Sequence, residues 1–500
     1  MLHEETDLSD LKRDRSLPIH LKETALKLTE ISKYAAQPGQ LVEWTLHPTT
    51  VAAAANAAPD ARQPSFTQDA HVKTTAFLRG VGLEAPTWLA TAFDIPGVLD
   101  SAAMEETFLG WITRHETLRS ELRLTGDELE RFTLSAEDVS LERTVVDDFT
   151  DSAELARYLE ERFDQAADPL QWPAYLFVTV AREDAFTVYL AFDHTNVDGY
   201  SIALIAHEIH ELYAAALDGR SAQLVATGSY VDFSQIERDA AQEVDERHPA
   251  VARWREFVDS CGGEMPRFPL DLGVAPGEYP MQTGGCEWLM SPADADAFDA
   301  ACKAMGGNFA AGVMAAASAA AYELGDEPVY RTVLPFHTRS DLQWLTSLGW
   351  YIGLGPFEIA TAQAGDFHEL VRMARHAARA AKPVAQAPFP KAFGLLEGTV
   401  RPLSVMSYID ARMVPGAQQW TEWNAHAFGK VSYGDEVYMW LNRTLEGLYV
   451  TYRCPSTDVG EKNVSAYIHR VRDIMTSVAQ TGTYTFAGDY GDYGSERLAA

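Results

Sequence analysis

Cysteine is scarce in this chain: four in 500 residues, Cys261, Cys286, Cys302 and Cys454, far apart and with no C-x-x-C pair. That spacing argues against a disulfide framework or a zinc cluster, and free thiols in a reducing compartment are expected. Positive charge is also short. Forty Lys and Arg face 72 Asp and Glu, a formal net charge of −32. Nothing in that balance neutralises a phosphate backbone or attracts anionic lipid, so no nucleic-acid partner is expected. Long apolar runs are missing too. The most apolar stretch, Phe309 to Leu324, is short and mostly alanine, which reads as a helix packed inside the protein and not as a membrane span. The first residues, Met1-Leu-His-Glu-Glu-Thr-Asp, lack the basic and apolar regions of a secretory signal, and a cytoplasmic location is expected. There is no G-x-S-x-G elbow and no phosphate-cradling loop. Gly349-x-x-x-Gly353-x-Gly355 lacks the strand, helix and later acid of a dinucleotide fingerprint. His207 and His210 are three apart where a zinc-protease helix needs four; they read as the solvated side of a helix, and no metal site is expected.

What is present is a strand, a turn and a helix in sequence. Phe186, Val188, Leu190 and Phe192 alternate with smaller residues, the period of a strand with one buried face. His194 falls in phase with them and is expected to point inward at the strand's end. Asp198 and Gly199 occupy the turn before an amphipathic helix, Tyr200 to Leu217, with Ile202, Ile205, Ile209, Leu212 and Ala216 on one face. A histidine so placed suits a general base, because its ordinary pKa of about 6.5 lies close to working pH.

His194-Thr-Asn-Val-Asp198-Gly199 after a strand resembles the H-x-x-x-D-G signature of the condensation-domain superfamily. That group includes nonribosomal peptide synthetase condensation domains, chloramphenicol acetyltransferase and the polyketide-associated (Pap) acyltransferases of actinobacteria. Further segments are similar in order and spacing from about residue 40 to 480. They are Arg114-His115-Glu116-Thr117-Leu118-Arg119 on a helix beginning near Ala102, Asp164 to Leu170, and Leu348-Gly349-Trp350-Tyr351-Ile352-Gly353. Leu41 to Trp44, Gly228 to Phe233, Trp254 to Phe257 and Phe268 to Leu270 favour the Pap type. Two departures point away from peptide condensation: Asp193 stands where condensation domains usually have a second histidine, and Gly353 where they usually have asparagine.

The resemblance implies an α/β sandwich fold of two chloramphenicol-acetyltransferase-like halves in a V, with an active-site tunnel between them. The expected boundaries are an extension over 1–40 with a helical stretch from Leu21 to Ala35, a first half over 41–235, a second over 236–490 and a tail over 491–500. It also implies an acyltransferase using an acyl-CoA or acyl-carrier-protein thioester as co-substrate, with no other cofactor, and a small alcohol such as a trehalose-type glycolipid as acceptor. The carrier would belong to a polyketide or fatty-acid synthase. His194 would be the base, and a backbone N–H near Gly199 would serve the oxyanion. Asp198 would pair with Arg339 and hold the loop's shape; His115 would serve packing and capping. Trp350 and Tyr351 are candidates for the acyl channel. Ser407, Tyr408 and Asn424, with Trp420 and Trp423 in an Ala411–Phe428 floor loop, are candidates for the acceptor side. The alternatives are a free-standing condensation enzyme making an amide or ester, and a non-catalytic carrier-docking homologue.

Overall fold

The computed structural model describes residues 26–83, 86–396 and 401–485. Eight strands precede residue 194: β1 (Leu28–Thr29), β2 (Gln40–Leu46), β3 (Trp88–Pro96), β4 (Ser120–Thr125), β5 (Glu128–Thr133), β6 (Leu141–Asp148), β7 (Tyr175–Ala181) and β8 (Ala185–Asp193). Seven follow residue 281: β9 (Gln282–Met290), β10 (Tyr330–His337), β11 (Ile352–Ile359), β12 (Ser404–Asp410), β13 (His426–Gly429), β14 (Val437–Thr444) and β15 (Gly447–Pro455). They form two main sheets, each the centre of one lobe. The first runs β1-β13-β3-β8-β7-β2-β6 and the second β11-β10-β12-β14-β15-β9.

β8 is the central strand of the first sheet, and centrality corrects the reading of a single buried face. Phe186, Val188, Leu190 and Phe192 pack under the helices Ser101–Arg114 and Gly199–Asp218. Tyr189 and Ala191 are buried on the other side with Leu155, Leu159 and Phe163 of the helix Ser152–Ala166. Each such side chain contributes about 1.5–3 kcal/mol by leaving water, which fixes the register that carries His194 to the sheet's end.

The second lobe packs the alanine-rich helix Phe309–Gly325 between its sheet and the helices Phe367–Val384 and Asp458–Thr481. The helix is interior, as its composition suggests. Among the described residues no helix is long and apolar enough to cross a membrane.

Two connections tie the lobes together. The chain leaves β12 in the second sheet, passes through residues 411–425 and enters the first sheet as β13, antiparallel to β3. β1 then pairs with β13, while the Leu26 and Leu28 carbonyls accept from the Tyr449 hydroxyl (2.6 Å) and Thr451 Oγ1 (3.2 Å) of β15. The N-terminal segment is therefore not helical where it is described: residues 28–29 are strand, followed by a single 3-10 turn, Ile31–Lys33. Pairing to β13 and burial of Leu26 override the local helical pattern. The rest of the Leu21–Ala35 reading, and the 491–500 tail, lie outside the described residues.

Candidate active site

His194 follows the last residue of β8, and Asp198 is the N-cap of the helix Gly199–Asp218, its carboxylate accepting the Ser201 N–H at 2.7 Å. A short polar side chain in this position satisfies one of the unpaired amides of the first turn. Gly219, at φ 62°, ends the helix in the left-handed region that glycine adopts freely. The strand and the capped helix thus hold residues 194–198 as a tight turn.

The turn is fixed from across the lobes. Arg339 Nη2 donates to both Asp198 oxygens at 3.0 and 3.2 Å and to Ser201 Oγ at 2.9 Å. Its Nη1 donates to the Trp344 and Ser347 carbonyls, each at 2.6 Å. Asp198 Oδ2 also accepts the Tyr351 N–H at 3.1 Å, and the Arg339 guanidinium lies 4.1 Å from the Tyr351 ring centre. Both charged side chains are 2% exposed, so each needs the other to offset the cost of leaving water.

Its other end is held within the first lobe. Asp193 accepts the Thr195 N–H at 2.8 Å and faces His71 Nε2 at 3.1 Å. His71 lies on the helix Phe66–Gly80, which starts at a Ser65–Gln68 capping box. Burial alone would raise the Asp193 carboxyl, yet His71 and the Thr195 bonds hold it below the usual carboxylate range.

Between these anchors His194 borders a cavity of about 390 Å³ between the lobes. Its ring stacks on Trp350, centres 3.8 Å apart. Protein surrounds the ring while one edge stays open to the cavity. Nδ1 is buried, with no partner beyond the residue's own backbone. Burial, reinforced by the charge of His71 and opposed by Asp193, lowers the His194 pKa to about 4. The imidazole is neutral at pH 7 and able to accept a proton. Gly199 lines the same cavity at the helix N-terminus, where its N–H has no intrahelical acceptor; a Cβ there would meet nothing within 4 Å. The space above it is open to a ligand.

Of the residues expected to touch substrate, Trp350 and Trp420 line the cavity. Tyr351 does not; it is fully buried, with its hydroxyl donating to Ser347 Oγ, and supports the Asp198–Arg339 pair. Tyr408 turns to the opposite face of β12 and stacks on Phe309, centres 5.2 Å apart, while Ser407 is buried beside Trp440; the cavity residues from this stretch are Ile409 and Ala411. Asn424, at φ 47°, bonds Asp94 and His426 and stabilises the floor segment instead of the cavity wall. Trp423 stacks on His210 at 4.1 Å, so His210 is not solvated: the floor segment covers that side of the helix. His115 caps and packs as expected, with Nε2 2.6 Å from buried Glu208.

His71, the Leu26–Lys33 segment, Trp440 of β14 and Tyr449 of β15 also line the cavity, and no local sequence signal marks them. Each becomes part of the wall only through pairing with residues far away in the chain.

Comparison with known proteins bears on this geometry. The model of the condensation domain matches residues 87–399, more than half of the chain. The chain belongs to the condensation-domain family. Within it, the chain is 26% identical over 477 residues to the 2'-acyl-2-O-sulfo-trehalose (hydroxy)phthioceranyltransferase PapA1 of Mycobacterium tuberculosis, covering 93% of this chain and 91% of that one. It is 29% identical over 468 residues to the trehalose-2-sulfate acyltransferase PapA2 of the same species, 90% and 97% of the two chains. A solved PapA2 acyl transferase superposes with a TM-score of 0.84 at 26% identity, over 91% of this chain and all of that one. The first condensation domain of the CDA synthetase shares the fold, with a TM-score of 0.66 at 17% identity over 85% and 98%. The two-lobed α/β architecture is thus that of the family.

The two departures from condensation domains have packing reasons here. Asp193 is the partner of His71. At Gly353 a Cβ would stand 1.8 Å from the Ala385 carbonyl oxygen, so the helix Phe367–Val384 can lie on β11 only because this residue is glycine.

Proposed function

We propose that this chain transfers an acyl group from a thioester, carried by coenzyme A or an acyl carrier protein, to the hydroxyl of a sugar-like acceptor in the cytoplasm. The observation that carries the reading is the His194 ring on the wall of the cavity between the lobes, held between two anchored carboxylates. Acyl transfer is the activity shared by the names of PapA1 and PapA2. The four cysteines, all free, suit a reducing compartment.

In the proposed reaction, the acceptor oxygen attacks the thioester carbonyl carbon while His194 Nε2 takes its proton. The carbonyl electron pair moves to oxygen, and the Gly199 N–H at the helix N-terminus is positioned to stabilise that charge. The intermediate collapses, the C–S bond breaks and the thiolate takes the proton from His194. The ring returns neutral, with no acyl-enzyme and no cofactor beyond the thioester. Asp198, committed to Arg339 and two backbone amides, moves no proton.

The cations that border the cavity favour an uncharged acceptor. Lys33 is paired with Glu30 at 2.6 Å, Lys430 with Glu160 and Asp164 at 2.9 Å, and Arg453 with Glu436 at 3.2 Å. A sulfated sugar would compete with carboxylates already in place. Since Asp193 and Gly353 answer to packing, neither separates ester from amide formation; the acceptor does.

The test is thiol release from a panel of acyl-CoAs and acyl carrier proteins, with trehalose, trehalose sulfate and simple alcohols or amines as acceptors. Acceptor-dependent release that falls about 10²- to 10⁴-fold in His194→Ala, with the fold retained, supports the reading. Release unaffected by that substitution rules His194 out as base, and no release by the folded wild type removes the transferase reading altogether.

A further inference from the structure

The two faces of β14 and β15 are built differently. Val437, Met439, Leu441, Leu448 and Val450 are buried in the core that the second sheet shares with its helices. The strand period of two puts Trp440 and Asn442 on the other face, opposite Thr451 and Tyr449, and all four line the cavity that His194 borders. Trp440 and Asn442 are partly exposed there. The Tyr438 and Trp440 rings meet edge to face, centres 6.0 Å apart, which steadies the indole. Asn442 Nδ2 donates to the Trp440 carbonyl at 3.1 Å, which fixes the amide. Neither Asn442 Oδ1 nor the Trp440 indole N–H has a hydrogen-bond partner among the described residues.

Other parts of the cavity wall are different in kind. Leu89, Ile202, Ala203, Val414 and Ala427 offer no polar side-chain group, and an alkyl chain packs against them without loss. Laid on β14, the same chain would cover an acceptor and a donor and leave both unpaired, which is costly. A sugar ring avoids that cost. Its C–H face packs on an indole, and its hydroxyls can donate to Oδ1 and accept from Nε1. Residues two apart on a strand are ~7 Å from each other, so one ring and its hydroxyls reach both Trp440 and Asn442. Arg453, the cation on this face, is already held by Glu436 at 3.2 Å.

We propose that the β14–β15 face is the acceptor wall, where Trp440 stacks on a neutral sugar ring and Asn442 holds one of its hydroxyls. The inference rests on the acyl-transfer reading and deepens it: these two side chains select a hydroxylated ring over a plain alcohol. They bind and orient the acceptor and take no part in proton transfer.

The experiment measures transfer from a palmitoyl thioester, of coenzyme A or of an acyl carrier protein, to trehalose and to octanol. It compares the wild type with Trp440→Leu, Trp440→Phe and Asn442→Leu. The expected result is a rise of about tenfold or more in trehalose KM for Trp440→Leu, with the KM values for octanol and for the donor unchanged. Trp440→Phe keeps a stacking face and should recover most of that loss, while Asn442→Leu should raise trehalose KM about three- to tenfold. If Trp440→Leu fails to fold, the other two variants decide. Equal rises with trehalose and octanol, or no change in trehalose KM, would each overturn the acceptor wall. So would a rise in donor KM, which would give this face to the pantetheine arm. A wild type that acylates octanol but not trehalose overturns the wall while leaving acyl transfer standing; one that acylates neither overturns both.

Discussion

Two buried carboxylates flank His194, and they are built for different tasks. Asp193 is joined to His71 inside the first lobe, by one contact between the two side chains. Asp198 is joined to Arg339 from the second lobe, by two contacts to a cation that stays charged at any working pH, with backbone bonds to Ser201 and Tyr351 besides. One pair sets the turn within its lobe; the other sets it relative to the opposite wall. A catalytic loop lying between two lobes needs both, because fixing one end leaves the ring free to pivot.

The largest effect is expected at the inter-lobe anchor. Arg339→Ala leaves Asp198 buried and unpaired, and denaturant titration should show a loss of about 3–5 kcal/mol together with loss of transfer. His71→Ala should cost less, about 1–3 kcal/mol, because Asp193 keeps its bond from Thr195. If the two costs are equal, the contrast between the anchors is wrong. A double-mutant cycle with Asp193→Asn sharpens it: a coupling above about 0.5 kcal/mol identifies His71 as the partner.

Gly353→Asn probes whether the loop that meets Asp198 depends on the helix above it. Its Cβ would collide with the Ala385 carbonyl, so a loss of about 1–3 kcal/mol is expected in thermal or denaturant unfolding. An unaltered midpoint would show that the helix yields.

Acid acts gradually instead of in one step. His194 has a pKa of about 4 in the folded chain, below the ordinary histidine value. The unfolded chain therefore binds that proton first, and stability falls as pH drops from about 6.5 toward 4. The lowered Asp193 acts in the same direction over a lower range, its contribution being lost as pH falls through its folded value. Catalysis needs the neutral ring, so kcat/KM should hold from pH 7 to about 5 and fall near 4. A midpoint near 6.5 would mean that His194 is more open to water than its surroundings suggest.

The readable part of the site was the part made by neighbours in sequence. β8, the cap at Asp198 and the helix after it follow from alternation, a short polar side chain and a 3.6-residue stripe. The Asp198–Arg339 pair came from the family resemblance, and the contact is present. Tyr408 lies off the cavity wall because a one-residue step along β12 reverses the face; Tyr351 and Asn424, outside the strands, are taken up by bonds to Ser347 and Asp94, and Ser407 is covered beside Trp440.

By itself, the sequence determined the strand–turn–helix that presents His194, the interior alanine helix and the family signature, since these depend on spacings of two to four residues. The tertiary structure decided the rest: that His71 meets Asp193 across 122 positions, that residues 28–29 join β13 as a strand, and that the floor segment covers His210. Those outcomes depend on which surfaces the two lobes bury against each other. Local propensity is worth less than 1 kcal/mol per residue, and it yields where packing and strand pairing are worth more.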